Sequence, residues 1–142
     1  MKRLFFILFV FGFISANAAD IVVACKFKDT PKELLVTTDG RYFKYHYGIK
    51  NDWDLVFSNS LDEIRRNSTE KWEGFGRYIW AKFVMINNGV MFEFSQAVDR
   101  MTDEHEMFLT LTLTDIKTDK ILTSKECDLS RHFVSDFGEF GL

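Results

Sequence analysis

The sequence predicts an all-β domain, mainly antiparallel, with about eight strands in a small barrel or a two-sheet sandwich and one short helix. Three observations carry this. β-Branched and aromatic residues recur in short alternating runs broken by Gly, Asp and Asn. Asp39-Gly40 and Asn88-Gly89 have the chemistry of two-residue hairpin turns, which need positive φ. Proline, which cannot donate to a strand ladder, occurs once, as Pro31.

The chain begins with a segment read as lying outside that domain. Met1-Lys2-Arg3, the apolar run Leu4 to Ile14 and the small-residue stretch ending Ala16-Asn17-Ala18-Ala19 form the pattern of a secretory signal peptide. The expected division is 1–19 as signal peptide and 20–142 as a single secreted β domain. No cysteine abuts the apolar run, so a soluble rather than lipid-anchored product is expected, periplasmic or secreted. In a eukaryotic secretory route, Asn67-Ser68-Thr69 would be a glycosylation acceptor.

The first strand alternates Ile21, Val23, Cys25 and Phe27 with Val22, Ala24, Lys26 and Lys28. The next two form a hairpin. Folding at Asp39-Gly40 pairs Val36 with Phe43 and Leu34 with Tyr45 on one face, and Glu33 with His46 on the other. A fourth strand alternates Trp53, Leu55 and Phe57 with Asp54, Val56 and Ser58. Ser60-Leu61-Asp62-Glu63 has capping-box spacing and predicts a short helix over 61–67.

The second hairpin turns at Asn88-Gly89. It sets Met85 against Phe92, Phe83 against Phe94 and Ile79 against Val98 on one face, with Val84 against Glu93 and Lys82 against Ser95 on the other. Met107, Leu109, Leu111 and Leu113 then alternate with Phe108 and three threonines, and a last strand runs from Ile121 to Cys127. In the tail from Ser130, Phe133, Phe137 and Phe140 recur at helical spacing, but Gly138 and Gly141 oppose a stable helix.

Cys25 and Cys127 fall in the first and last long strands. In an oxidising compartment an isolated pair is most simply a disulfide. It would close a loop of about 100 residues, worth up to about 4.7 kcal/mol in the chain-entropy picture. A bond between neighbouring strands favours a barrel, and a bond between facing sheets favours a sandwich. The pair lacks Cys-x-x-Cys spacing for redox chemistry and nearby histidines for zinc.

Composition narrows the function. The leader holds two of the 18 basic residues and none of the 21 acidic ones, so the 123 residues after it carry a net charge of −5. That excludes nucleic-acid binding driven by bulk positive charge. No second apolar run approaches the ~20 residues of a membrane span. No catalytic motif is found: neither a nucleophile elbow nor a phosphate-cradling glycine loop with its strand and helix. The three histidines are His46, His105 and His132. His46 facing Glu33 reads as a surface cross-strand pair, with an acid–base pair as the sharper reading. His105, in Asp103-Glu104-His105-Glu106, reads as a solvated acidic loop more than as a cation site. Neither a metal nor another cofactor is expected.

The stretch from Lys71 to Trp80 is the most suggestive. Trp72, Phe75, Arg77 and Tyr78 surround two glycines, and Trp, Tyr and Arg dominate binding hot spots. Read as core, Trp72 and Phe75 plug one end of the β domain; read as contact surface, the four residues form a recognition loop on a rigid scaffold. The leading expectation is a non-catalytic module that binds another secreted or envelope protein, in the manner of an inhibitor or immunity partner. That format is shared by many functions and assigns none by itself. The alternative is a carrier for a small apolar ligand, which calls for a connected interior space of ~300 Å³ or more.

Overall fold

The computed structural model describes residues 19–68 and 73–136. The proposed leader up to Ala18, Trp72, and the tail containing Phe137 and Phe140 lie outside the described residues. Ten strands and one helix follow in chain order: β1 (Asp20–Lys26), β2 (Glu33–Thr38), β3 (Tyr42–Ile49), β4 (Asp52–Ser60), α1 (Leu61–Asn67), β5 (Glu73–Phe75), β6 (Tyr78–Asn87), β7 (Val90–Asp99), β8 (Met107–Asp115), β9 (Lys120–Glu126) and β10 (Val134–Ser135). The eight expected strands are β1–β4 and β6–β9. The two additions, β5 and β10, span three and two residues, too short for a periodic signal.

The strands form two antiparallel sheets, ordered β10-β1-β2-β3-β4 and β5-β6-β7-β8-β9. β1–β4 and β5–β9 are each runs of hairpin-joined neighbours, and the chain changes sheet twice, through α1 and between β9 and β10. The architecture is a sandwich. Phe27 and Cys127 make an isolated antiparallel bridge between the sheets, flanked by Lys28 N–H to the Glu126 carbonyl (3.2 Å) and Asp128 N–H to the Lys26 carbonyl (2.7 Å). There the Cys25–Cys127 disulfide spans a Cα separation of 5.7 Å.

Aromatic contacts join the two faces: Phe43 of β3 meets Phe83 of β6 at 5.6 Å between ring centroids, and Tyr45 meets Phe92 of β7 at 5.1 Å. The rings between the sheets, with Val23, Leu34, Val36, Leu109 and Leu111, form one continuous core.

The second hairpin follows the expected register over its whole length, from Tyr78↔Asp99 to Asn87↔Val90. Asn88 (φ 49°) and Gly89 (φ 76°) both take the positive φ of the primed turn. The helix also starts as expected. The Ser60 hydroxyl accepts from the Glu63 N–H, the Glu63 carboxylate accepts from the Ser60 N–H, and Ile64 is fully buried.

Three local expectations are corrected. The first hairpin is slipped by two residues: Val36 pairs with Tyr45, Leu34 with Tyr47 and Leu35 with His46. Its turn is longer because the Asp39 carboxylate accepts from the N–H groups of Tyr42 and Arg41 (2.8 Å each), and those bonds hold it below the ordinary carboxylate range. A two-residue slip leaves every side chain on its predicted face. It separates His46 from Glu33, which instead pairs with Lys26 at 3.7 Å. A bulge in β1 then turns Ile21 outward and buries Val22 beside Val23. A second bulge, between Tyr47 and Gly48, puts Trp53 across from Gly48, away from Leu55 and Phe57 and beside His46, with ring centroids 5.2 Å apart.

The β6 edge beyond β5 is covered by side chains rather than a strand. Val84 N–H donates to the Ser68 hydroxyl (2.8 Å), and Asn59 takes the Ile86 N–H (2.7 Å) while donating to the Ile86 carbonyl (2.9 Å). Asn59 acts here as one rung of an absent ladder, protecting an edge that would otherwise invite pairing.

At the β4 bulge, Gly48 has φ +147° and a Cβ there would lie 2.7 Å from Asp54 N and 2.9 Å from Asp52 O, both backbone atoms. Gly40, φ +88°, has nothing within 4 Å. Gly48→Ala should therefore cost about 3 kcal/mol and Gly40→Ala about 1–2 kcal/mol, measured by urea unfolding. Equal losses would contradict the bulge geometry.

Candidate functional site

The sequence-predicted recognition loop is a tight hairpin joining β5 to β6. Phe75 pairs with Tyr78 across Gly76-Arg77, and only Gly76 has positive φ (65°), the pattern of a type II′ turn. Phe75 is 90% exposed and Tyr78 39%. Neither plugs the interior. Met101, in the adjoining β7–β8 loop, is 73% exposed. The Tyr78 ring stands edge-on to Phe108 at 6.3 Å. A hairpin tip and its neighbouring loop thus each carry exposed apolar side chains.

Arg77 has a different role from its neighbours. Its Nε and Nη2 each lie 2.5 Å from Asp99 Oδ2, and its guanidinium sits 5.6 Å from the Tyr78 ring centroid. Asp99 is only 1% exposed. Its other carboxylate oxygen accepts from the Met101 N–H at 2.9 Å. The Arg100 N–H donates to the Arg77 carbonyl (2.9 Å), and the Arg100 guanidinium reaches the Gly76 carbonyl. The β7–β8 loop is braced in turn by Asp99 N–H to the Glu106 carbonyl (2.8 Å) and Glu106 N–H to the Thr102 hydroxyl (3.1 Å). Asp99 thus ties the β5–β6 turn to the β7–β8 loop, and Arg77 positions the turn instead of standing free.

Burial is the largest single influence on the Asp99 carboxyl and opposes its ionisation. The Met101 N–H, the Arg77 hydrogen bond and the Arg77 charge together outweigh it and hold the group below the ordinary carboxylate range. Arg77 is raised correspondingly, chiefly by its hydrogen bond to Asp99.

Asp99 and Met101 do not stand out in the sequence as site residues. Asp99 was legible in principle: extending the Asn88-Gly89 ladder to its end sets Asp99 opposite Tyr78, next to Arg77. Met101 lies past the ladder, where no periodicity reaches. The four aromatic and arginine residues of the expected loop divide accordingly. Phe75 and Tyr78 project, Arg77 braces, and Trp72 lies outside the described residues.

The histidines gather no chemistry among the described residues. His46 lies between Leu35 and Val56 across the first sheet, with Nδ1 buried and unpartnered. Burial pushes its imidazole below its ordinary value. His105 occupies a positive-φ position (50°) in the exposed 102–106 loop. No three His, Cys, Asp or Glu side chains among the described residues are grouped to hold a metal ion.

No family model matches the chain, and no curated protein or solved structure is significantly similar to it. The reading of the site therefore rests on its own geometry.

The Asp99–Arg77 pair predicts a pH dependence. The folded pKa of Asp99 is depressed, so the pair's stabilisation is complete above the unfolded value of about 3.9 and is lost as pH falls through the folded pKa. Wild type should exceed Asp99→Asn in urea midpoint by a constant margin from about pH 7 to pH 5, and that margin should shrink below about pH 4. A margin unchanged at low pH would contradict the ionised pair.

Proposed function

We propose that this chain is a secreted or periplasmic binding protein without catalytic activity, one that docks another secreted or envelope protein in the manner of an inhibitor or immunity partner. The observation that carries this reading is the braced apolar tip: Phe75 and Tyr78 exposed on the β5–β6 turn and Met101 exposed on the adjoining loop, both tied to buried Asp99. Exposed aromatic side chains on a rigid turn lose little freedom on binding, and each buries a large area. Truncating such an anchor costs on the order of 2 kcal/mol in protein interfaces. Arg77, still half exposed while bound to Asp99, adds a cationic rim without needing to be ordered first.

The compartment supports the reading. An intact Cys25–Cys127 disulfide fits an oxidising environment. The 1–19 pattern supplies the route there. Among the described residues no helix is long and apolar enough to cross a membrane.

The test is quantitative capture of envelope proteins by wild type and by Phe75→Ser/Tyr78→Ser, followed by affinity measurement on each captured protein. The proposal predicts at least one saturable partner whose affinity falls about tenfold or more in the variant. Identical partners held with identical affinity would overturn the assignment to this tip.

A further inference from the structure

Between the two sheets, away from the aromatic tip, lies a half-open apolar cavity of about 200 Å³. Tyr45, Tyr47 and Leu55 wall it from the first sheet; Phe92, Leu111 and Leu113 wall it from the second. It falls short of the ~300 Å³ typical of drug-sized ligand pockets. It exceeds the ~150 Å³ of an engineered apolar cavity that stays dry and takes up benzene.

We infer that this cavity is a binding site for one small, neutral, largely aromatic molecule of about the size of phenol or indole. Three features select that class. The wall is aliphatic and aromatic, and its rings already meet at tilted angles: Tyr45 and Phe92 at 63°, Phe57 and Phe92 at 51°. An aromatic guest extends that packing. The second feature is Tyr45 itself, 2% exposed, which brings a ring rather than a charge to the wall. Burial pushes this phenol far above its ordinary range, so it meets the guest as a neutral O–H.

The third feature is access. β4 and β9, which contribute Leu55 and Thr123 to the wall, are the outer strands of their sheets on this side. A molecule can pass between them without breaking a ladder. Lys125 also borders the cavity, but its ammonium is held by Asp29 at 3.1 Å. A charged guest would have to compete with that carboxylate, so a neutral one is favoured.

The experiment titrates the protein with phenol, indole and toluene, with glucose as a polar control, following methyl NMR shifts and the thermal midpoint. Expected are saturable shifts confined to Leu55, Leu111 and Leu113, and a midpoint rise of about 3 °C at a few times the dissociation constant. Leu113→Trp should fill the space and abolish both responses. Shifts that never saturate, a full response in Leu113→Trp, or equal responses to glucose would overturn the site. The wild-type titration decides the matter alone if Leu113→Trp fails to fold. It is independent of the capture experiment, which reports only on the tip.

Discussion

Cys25 and Cys127 join the two sheets at the corner where their backbones meet in one isolated bridge. Among the described residues, the other hydrogen bonds between the sheets involve side chains. The aromatic core presses the faces together but is non-directional; it would tolerate sliding of one meander over the other. Direction comes from a few fixed points. One is the disulfide, closing a sequence separation of 102 residues. Another is Asn59, hydrogen-bonded at both ends to Ile86. A third is Ser135, whose hydroxyl donates to Gln96 across the sheets at 3.0 Å. Of these only the disulfide is covalent, and it acts on the unfolded chain as well by shrinking its ensemble.

The order of strands in the two sheets makes two different surfaces available. At one end the β5–β6 hairpin projects beyond the sandwich, and its apolar side chains have no facing sheet to cover them. At one side β4 and β9 leave the interior accessible. The first surface is rigid through buried charge pairing, the second through core packing. A protein of this size therefore offers a contact patch and a small open-sided cavity on one scaffold, separated by the body of the second sheet.

Much of this was legible in the residues, for reasons that differ by element. Asn88-Gly89 fixed a long ladder because its turn type admits one register. Asp39-Gly40 misled by two positions because the Asp39 carboxylate organises a longer turn, a tertiary choice that a dipeptide does not encode. The core survived that error since faces repeat every second residue. Ile21 and Trp53 were misplaced by bulges, which insert one residue and invert the alternation beyond it. The exposure of Phe75 and Tyr78 was not readable: aromatic residues in a short strand fit a core as well as a tip, and β5 is too short to show a period. The disulfide was readable because only two cysteines remain, in the first and last long strands.

The corner bond sets how the first sheet lies on the second. Residue-resolved amide hydrogen exchange, compared between oxidised and reduced protein, tests it most directly. On reduction, protection should fall first at Lys28, Cys127 and Asp128 and spread through β1 and β10, while the β6–β7–β8 ladder stays protected longest. Unchanged protection at that corner, or loss beginning in β6–β8, would contradict it.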